Sequence, residues 1–264
     1  MRKFSREIKK VVIKVGTSSM THENGNLNLE FIDNLTWELS NLKNAGLQVV
    51  LVSSGSIAAG AKRLNLPERP RDTIGKQAAS AVGQVTLMQL YHKAFNAYGY
   101  QAAQVLLTKQ IERDKTMYEN GRNTFEKLME MNTIPIVNEN DAISTYEIEF
   151  GDNDTLSALV AGIVEADLLI LLTDIDGLYD DDPRKNPGAQ RIEEVEEIDE
   201  RFVEMAKDTE SKVGTGGMST KIKAAKKAVE KGIPVVIASA EDTKNIRNII
   251  GGEKIGTYFK PNID

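Results

Sequence analysis

The chain has 264 residues, of which 41% are hydrophobic and 27% charged, with a formal net charge of −6 and no cysteine. This composition is typical of a globular protein with a hydrophobic core of ordinary size. The acidic balance disfavours nucleic-acid binding, and the lack of cysteine excludes disulfides and thiolate metal sites. The polar N-terminus has no apolar signal-peptide core, and the apolar runs are too short to span a bilayer. We therefore predict a soluble, cytoplasmic protein that binds neither nucleic acid nor membrane.

Short β-branched and leucine-rich runs alternate along the chain with segments of helical periodicity. The apolar runs predict strands buried on both faces, at Val11–Val15, Val49–Val52, Val105–Leu107, Ile134–Val137, Leu168–Leu172 and Val235–Ala238. The periodic segments predict helices at 29–42, 73–98, 154–166, 219–231 and 246–250. Alternation of this kind predicts an α/β fold with a mainly parallel sheet. The stretch 179–187 is typical of a turn-rich surface loop.

Polar, glycine-rich or acidic groups follow four of the predicted strands, where ligands bind in open parallel sheets. These groups are KVGTSS from Lys14, SSGS from Ser53, NENDA from Asn138 and TDIDG from Thr173. A fifth group, GDNDT from Gly151, begins the next helix. Asn and Asp also cap helices and turns, so each acidic group alone has a structural explanation. Together they favour recognition of a polar, amino-acid-like substrate, or a carboxylate that orients two cations.

Lys14 lies inside the apolar strand VVIKVG. A buried ammonium needs an anionic partner or a path to solvent, and the position alone leaves both interpretations open. Gly16, two residues later, would let the backbone approach a phosphate closely. The two histidines are isolated and no G-x-S-x-G pattern occurs, so a transition-metal site and a serine hydrolase are both disfavoured.

The stretch GTGGMSTK, residues 214–221, joins a glycine-rich loop to a predicted helix. It matches neither the Walker A loop nor the dinucleotide-binding pattern. Its glycines can present backbone amides, and Ser219 or Thr220 is expected to cap the helix. Lys221, in the first turn, opposes the helix dipole unless an anion binds there. The residues by themselves therefore indicate a phosphate-handling α/β enzyme.

With these motifs in place, the sequence resembles the amino acid kinase family. The matching stretches, which follow the family's order along nearly the whole chain, are KVGTSS, SSGSIAAG, KQAASAVGQ, NENDA, GDND, LLTDIDGLY and GTGGMSTK. The resemblance implies a three-layer αβα sandwich with an open, mostly parallel eight-stranded sheet. It is strongest to members that use ATP to phosphorylate the γ-carboxylate of L-glutamate, the first step of proline synthesis.

The resemblance also implies roles for individual residues. Lys14 and Lys221 match the phosphate-binding lysines, and Asp154 matches the carboxylate that holds them. Positions that match substrate contacts are Ser54, Asp141 and Asn153, with Asp152 a weaker candidate. Positions that match ATP contacts are Lys14, Gly16, Thr173, Asp174, Thr215, Gly216, Gly217, Met218, Ser219, Thr220 and Lys221. Mg²⁺ is expected to be held mainly by the ATP phosphates, with no dedicated protein ligands.

The same resemblance implies one kinase domain over residues 1–264, mainly substrate-binding at first and mainly ATP-binding from about residue 168. Many members carry an additional C-terminal PUA domain, and this chain is expected to lack it. A homo-oligomer, dimer or tetramer, and feedback inhibition by proline are also expected. The alternatives are a family member that acts on acetylglutamate, carbamate, aspartate or a nucleoside monophosphate, or a non-catalytic ligand sensor of the same fold.

Overall fold

The computed structural model describes residues 1–22, 24–144, 152–181, 183, 185–199, 202 and 217–262. Within these ranges the strands are β1 (Lys10–Val15), β2 (Gln48–Ser53), β3 (Ala102–Leu107), β4 (Ile134–Glu139), β5 (Leu168–Thr173), β6 (Glu194–Val195), β7 (Val235–Ser239) and β8 (Thr257–Phe259). They form one sheet in the order β3-β4-β2-β1-β5-β7-β8-β6. Neighbouring strands run parallel except β7 and β8, which are antiparallel. The expected eight-stranded, mostly parallel sheet is confirmed.

Helices cover both faces of this sheet. They are α1 (Thr17–Met20), α2 (Leu29–Asn44), α3 (Ser56–Arg63), α4 (Thr73–Asn96), α5 (Lys115–Glu130), α6 (Asn153–Ile163), α7 (Met218–Val229) and α8 (Asn245–Ile250), with a 3-10 turn at Lys109–Glu112. One buried cluster joins α5, α6 and α7 to the sheet, and a second joins α2, α3, α4 and α8 to its other face. The three expected layers are therefore present.

The six strands and five helices predicted from periodicity are all present, with ends that differ by at most three residues. Helix α5 was not predicted because its sequence is polar, and among its described residues only Phe125 and Met129 are buried. Strands β6 and β8 have two and three residues, too few for a periodic pattern. Their existence depends on the pairing of the edge strands and not on local sequence.

The pleat of β1 decides where Lys14 points. Alternate residues of a strand face opposite sides of a sheet. Val12 belongs to the buried cluster under α6 and α7, whereas Val11, Ile13 and Val15 belong to the cluster under α2 and α4. Lys14 shares the face of Val12 and therefore extends toward α6 and α7.

Helices α3 and α4 cross with their backbones in contact. A side chain on Gly60 would overlap the carbonyl oxygen of Ala79, and one on Gly83 would overlap that of Ser56. Glycine is required at both positions because the obstructing atoms belong to the backbone and cannot move aside. The crossing brings the first turn of α3 against the middle of α4.

Within the described ranges, no helix is both long enough and apolar enough to cross a membrane.

Candidate active site

Two lysines meet one aspartate where β1, α6 and α7 converge. Lys14 Nζ lies 2.5 Å from Asp154 Oδ1, and Lys221 Nζ lies 3.3 Å from Asp154 Oδ2. The side chain of Asp154 is fully buried, and those of Lys14 and Lys221 are 6% and 7% exposed. Thr220 Oγ1 donates a further hydrogen bond of 2.8 Å to Asp154 Oδ2. The cluster places two lysine ammonium groups around one aspartate carboxylate beneath the carboxyl edge of the sheet.

Asp154 is held in its ionised form. Burial alone would raise its pKa, but the charges of Lys14 and Lys221 and the hydrogen bonds from Lys14 and Thr220 outweigh it and hold the pKa well below its ordinary value. The two oxygens of the ionised carboxylate each hold one lysine ammonium group. This arrangement is suited to binding a polyanion such as a phosphate chain.

Asp152 lies at the start of α6, where its side chain caps the helix. It accepts hydrogen bonds from the Asp154 backbone N–H at 2.8 Å and from Thr155 Oγ1 at 3.2 Å. Burial raises the pKa of Asp152 to about 7, the charge of Asp154 adds to this shift, and the charge of Lys14 opposes it. Its cap fixes the orientation of the turn that carries Asn153 and Asp154.

Gly16 leaves the space above Lys14 open. A Cβ at this position would stand 3.6 Å from Lys14 Nζ and 3.8 Å from Ser18 Oγ. Gly16 is also the N-cap of α1, and as a glycine it has no side chain to cap that turn. A ligand can therefore approach the Lys14 ammonium over the backbone of residue 16.

The predicted substrate residues form a hydrogen-bonded group next to the lysine cluster. Asn153 Nδ2 lies 2.9 Å from both Ser54 Oγ and Asn138 Oδ1, and 3.1 Å from the backbone oxygen of Ser53. Asn138 Nδ2 lies 3.0 Å from Gln84 Oε1 and 3.3 Å from Ser56 Oγ. The ends of β2 and β4 are thereby tied to the N-terminus of α6.

Asp141, just beyond β4, belongs to the same group. Its Oδ2 accepts hydrogen bonds from Ser80 Oγ at 2.7 Å and Ser56 Oγ at 3.2 Å. Burial raises the pKa of Asp141, and the two hydroxyl bonds and the charge of Arg69 oppose that shift. The hydroxyls and the guanidinium therefore all favour the ionised carboxylate.

Thr173 and Asp174 end β5, the strand next to β1. Thr173 Oγ1 donates to Asp174 Oδ1 at 2.9 Å, and the Asp174 side chain is exposed. Both residues line one end of a polar cavity of about 970 Å³ that extends along α2 to Lys244. At the carboxyl edge Asp174 is therefore exposed, whereas Thr173 is buried. None of the described hydrogen bonds joins either residue to the lysine cluster.

The glycine loop is only partly described, since Thr215 and Gly216 lie outside the described residues. The expected capping by Ser219 or Thr220 is wrong, because Gly217 is the N-cap of α7 and no side chain caps it. Thr220 lies inside the first turn and bonds the Gly217 carbonyl oxygen at 2.8 Å as well as Asp154. Met218 is buried beneath the turn, while Ser219 is half-buried.

Several members of the site were not predicted as site residues, namely Ser56, Arg69, Ser80, Gln84 and Asn138. Ser56, Ser80 and Gln84 lie in the recognised stretches SSGSIAAG and KQAASAVGQ, but no role was predicted for them. A buried serine in a helix is common and does not by itself indicate function. Asn138 was part of a recognised motif, but its contacts depend on α4 and α6. The crossing of α3 and α4 brings Ser56 and Ser80 to Asp141.

An open, mostly parallel sheet with two buried lysines around one aspartate at its carboxyl edge indicates an α/β protein of the phosphate-binding class. The comparison with known families agrees with this class, because the model of the family described as "Amino acid kinase family" matches residues 9–239. The chain belongs to the amino acid kinase family.

Similar proteins extend over nearly the whole chain. A glutamate 5-kinase from Carboxydothermus hydrogenoformans is 52% identical over 99% of this chain and 70% of its own length. One from Clostridium acetobutylicum is 49% identical over 98% of this chain and 97% of its own length.

Solved structures with the same architecture are much more distant in sequence. The UMP kinase from Bacillus anthracis superposes with a TM-score of 0.68 at 14% identity, covering 98% of both chains. Carbamate kinase from Giardia lamblia, bound to AMP-PNP, superposes with a TM-score of 0.67 at 18% identity. The superposition covers 96% of this chain and 99% of the carbamate kinase chain. At such identities the likeness concerns the fold alone.

Proposed function

We propose that this protein transfers the γ-phosphoryl group of ATP to the γ-carboxylate of L-glutamate, giving L-glutamyl 5-phosphate for proline synthesis. The observation that carries the proposal is the buried Lys14–Asp154–Lys221 cluster at the carboxyl edge of the sheet. The choice of glutamate is supported by relatives of that name at 49–52% identity along nearly the whole chain.

The chemistry explains why lysines occupy the position where other enzymes place a general base. The γ-carboxylate of glutamate is ionised near neutral pH and needs no proton removed. The enzyme has instead to bring two anions together in line and to stabilise the charge on the transferred phosphoryl group. Lys14, on β1, and Lys221, on α7, approach that group from two elements, and Asp154 orients both.

We assign the remaining residues by their positions. Ser54, Asn153 and Asp141 contact glutamate, and Asp152 acts through the α6 turn that it caps. The second half of the chain, from about residue 168, binds ATP, with Thr173 and Asp174 on the nucleoside side. Gly16 and the loop from Thr215 to Lys221 contact its phosphates.

Mg²⁺ is assigned to the ATP phosphates, where it would neutralise part of their charge. The chemistry of the described side chains is compatible with that arrangement, since none of their His, Asp and Glu groups forms a cluster of three or more suited to a metal. Lys14 and Lys221 supply the protein's own positive charge to the same phosphates.

The test is ADP release with ATP, Mg²⁺ and one acceptor at a time, with hydroxylamine trapping of the acyl phosphate. We expect release and trapping with glutamate, and neither with acetylglutamate, carbamate, aspartate or UMP. Turnover with another acceptor alone would contradict the choice of substrate. Nucleotide binding without ADP release for any acceptor would indicate a sensor.

We also propose that proline inhibits the enzyme. The enzyme is further proposed to form a dimer or tetramer. The segment Asp141 to Gly151 is where we place the response to proline, although residues 145–151 lie outside the described ranges. Proline added to the same assay should lower the rate and raise the KM for glutamate, and light scattering should give a mass at least twice 29.1 kDa. An unchanged rate or a monomer would contradict the respective proposal.

A further inference from the structure

We propose that two buried hydroxyls, Ser56 and Ser80, position Asp141 to accept the ammonium group of the amino-acid substrate. They would thereby give the site its requirement for a free α-amino group. The inference rests on the proposed function, because it places Asp141 at the substrate. Ser56 and Ser80 are positioning residues that act through Asp141, and they need not touch the substrate themselves.

The hydroxyls are fixed by the crossing of two helices. Ser56 is the first residue of α3 and Ser80 lies in the second turn of α4, with 3% and 4% of their surfaces exposed. Their Oγ atoms lie 3.0 Å apart, and the helix backbones meet at Gly60 and Gly83. Neither hydroxyl can move far, because both are enclosed where the two helices touch.

Both hydroxyls bond the same oxygen of Asp141. Ser80 Oγ lies 2.7 Å and Ser56 Oγ 3.2 Å from Oδ2, whereas no described residue donates a hydrogen bond to Oδ1. The carboxylate is thus held through one oxygen while the other is left to accept from a ligand. Asp141 is partly exposed, so a ligand can reach it.

The ligand that fits Oδ1 carries a primary ammonium group. An ionised carboxylate is an acceptor only, and its strongest small partner is a charged N–H donor. Hydrogen bonds to the ionised form favour that form against the effect of burial. The two hydroxyls therefore fix the orientation of Asp141 and also sustain the charge that an ammonium group requires.

The same network sets the distance between the two ends of the substrate. Ser56 Oγ also lies 3.3 Å from Asn138 Nδ2, and Asn138 Oδ1 lies 2.9 Å from Asn153 Nδ2. Asn153 directly precedes Asp154, which holds both lysines. An amino acid whose ammonium binds Asp141 would therefore have a fixed position relative to the phosphoryl-transfer centre.

A purely structural role for the serines is the alternative, and the test must separate the two. Glutarate is glutamate without its amino group, so it makes no contact that depends on an ammonium. We would measure KM and kcat for glutamate, KM for ATP, and the Ki of glutarate against glutamate. The variants are Ser80→Ala and Ser56→Ala, with Ser40→Ala as the control.

Ser40 is a suitable control because it is also a buried helical serine, 2% exposed, whose Oγ donates to Thr36 O at 2.7 Å. It lies on α2, outside the network. For Ser80→Ala we expect the KM for glutamate to rise about tenfold, as for the loss of one hydrogen bond to a charged group. The Ki of glutarate, the KM for ATP and kcat should stay within about twofold, and Ser56→Ala should behave similarly with a smaller rise.

Equal rises in the KM for glutamate and the Ki of glutarate would show a structural role and overturn the inference. It would also be overturned if Ser80→Ala matched Ser40→Ala while the wild-type enzyme phosphorylates glutamate. A wild-type protein without glutamate-dependent ADP release would instead refute the proposed function, and the inference would fall with it. Thermal unfolding of each variant verifies that the fold is intact.

Discussion

At the scale of single residues, the site is organised by buried charged side chains, each of which would be unfavourable in the protein interior without an oppositely charged partner. A buried lysine or aspartate alone would cost several kcal/mol, whereas the cluster of Lys14, Asp154 and Lys221 satisfies each charge. We propose that the same ammonium groups bind the phosphates of the nucleotide, so that these side chains contribute both to local stability and to ligand binding.

Replacing either lysine should remove catalysis far more than substrate binding. For Lys14→Ala and Lys221→Ala we expect kcat to fall at least about 100-fold, because a preorganised charge near the transferred group is lost. The KM for glutamate should change less than about threefold. Lys223→Ala, an exposed lysine on the same helix α7, serves as the control and should keep full activity. Full turnover by either site variant would refute the assignment.

Asp152 should make the free energy of unfolding depend on pH. Its folded pKa of about 7 exceeds the unfolded value of about 4, so the folded state binds more protons between these values. The stability that this group contributes is complete below about pH 4 and is lost as the pH rises through 7. Urea unfolding between pH 5 and 8 should thus show a decline, of up to about 1 kcal/mol per pH unit.

Asp152→Asn cannot titrate at this position yet retains a good N-cap residue. Its unfolding free energy should vary less with pH over the same range than that of the wild type. Asp33→Asn, which removes an exposed carboxylate on α2, should keep the wild-type pH dependence. Identical curves for the wild type and Asp152→Asn would refute the raised pKa.

At the scale of elements, the α3–α4 crossing links the helix backbones to Asp141, which we propose binds the substrate. Gly83→Ala would drive a methyl group into the carbonyl oxygen of Ser56, an overlap that only a shift of one helix could relieve. We expect a loss of about 3 kcal/mol in unfolding free energy, measured with urea. The KM for glutamate should also rise, since Ser56 and Ser80 would separate.

The control for this crossing is Gly121→Ala on α5. The atom nearest to an added Cβ there is the end of the Ile111 side chain, at 3.0 Å, which can adjust. Its effect on unfolding should stay within about 1 kcal/mol, and the KM for glutamate should not change. Wild-type stability of Gly83→Ala would mean that the helices do not touch as described.

At the scale of the whole molecule, we expect the sheet order to separate the two proposed binding functions along one edge. Strands β2 and β4 lie on one side of β1, and β5 and β7 lie on the other. The strand that carries Lys14 is therefore central to both halves. Substitutions on one side should affect one substrate selectively.

Ser54→Ala and Asp174→Ala test this division and serve as each other's control. Ser54→Ala should raise the KM for glutamate severalfold and leave the KM for ATP within twofold, because Ser54 bonds Asn153 on the α6 side. Asp174→Ala should raise the KM for ATP severalfold and leave the KM for glutamate within twofold. Steady-state kinetics with both substrates varied would decide, and parallel changes in both KM values would contradict the division.

The sequence by itself determined the fold class, because six apolar strands and their intervening helices have unmistakable periodicity. It also marked Lys14 and Lys221, since a charge inside an apolar strand and a lysine at a helix start are locally anomalous. It could not reveal α5, β6 or β8, nor that Gly217 and not Ser219 or Thr220 caps α7. Those outcomes depend on packing and strand pairing, not on the local pattern.

Only the tertiary structure decided which side chains meet. Lys14 and Lys221 are separated by about two hundred residues, and the pleat of β1 together with the position of α7 brings both to Asp154. Ser80 lies in the recognised stretch KQAASAVGQ, but its contact with Asp141 depends on the crossing of α3 and α4 at two glycines. Periodicity is a local property that a sequence displays directly, whereas contacts between distant residues exist only once the chain has folded.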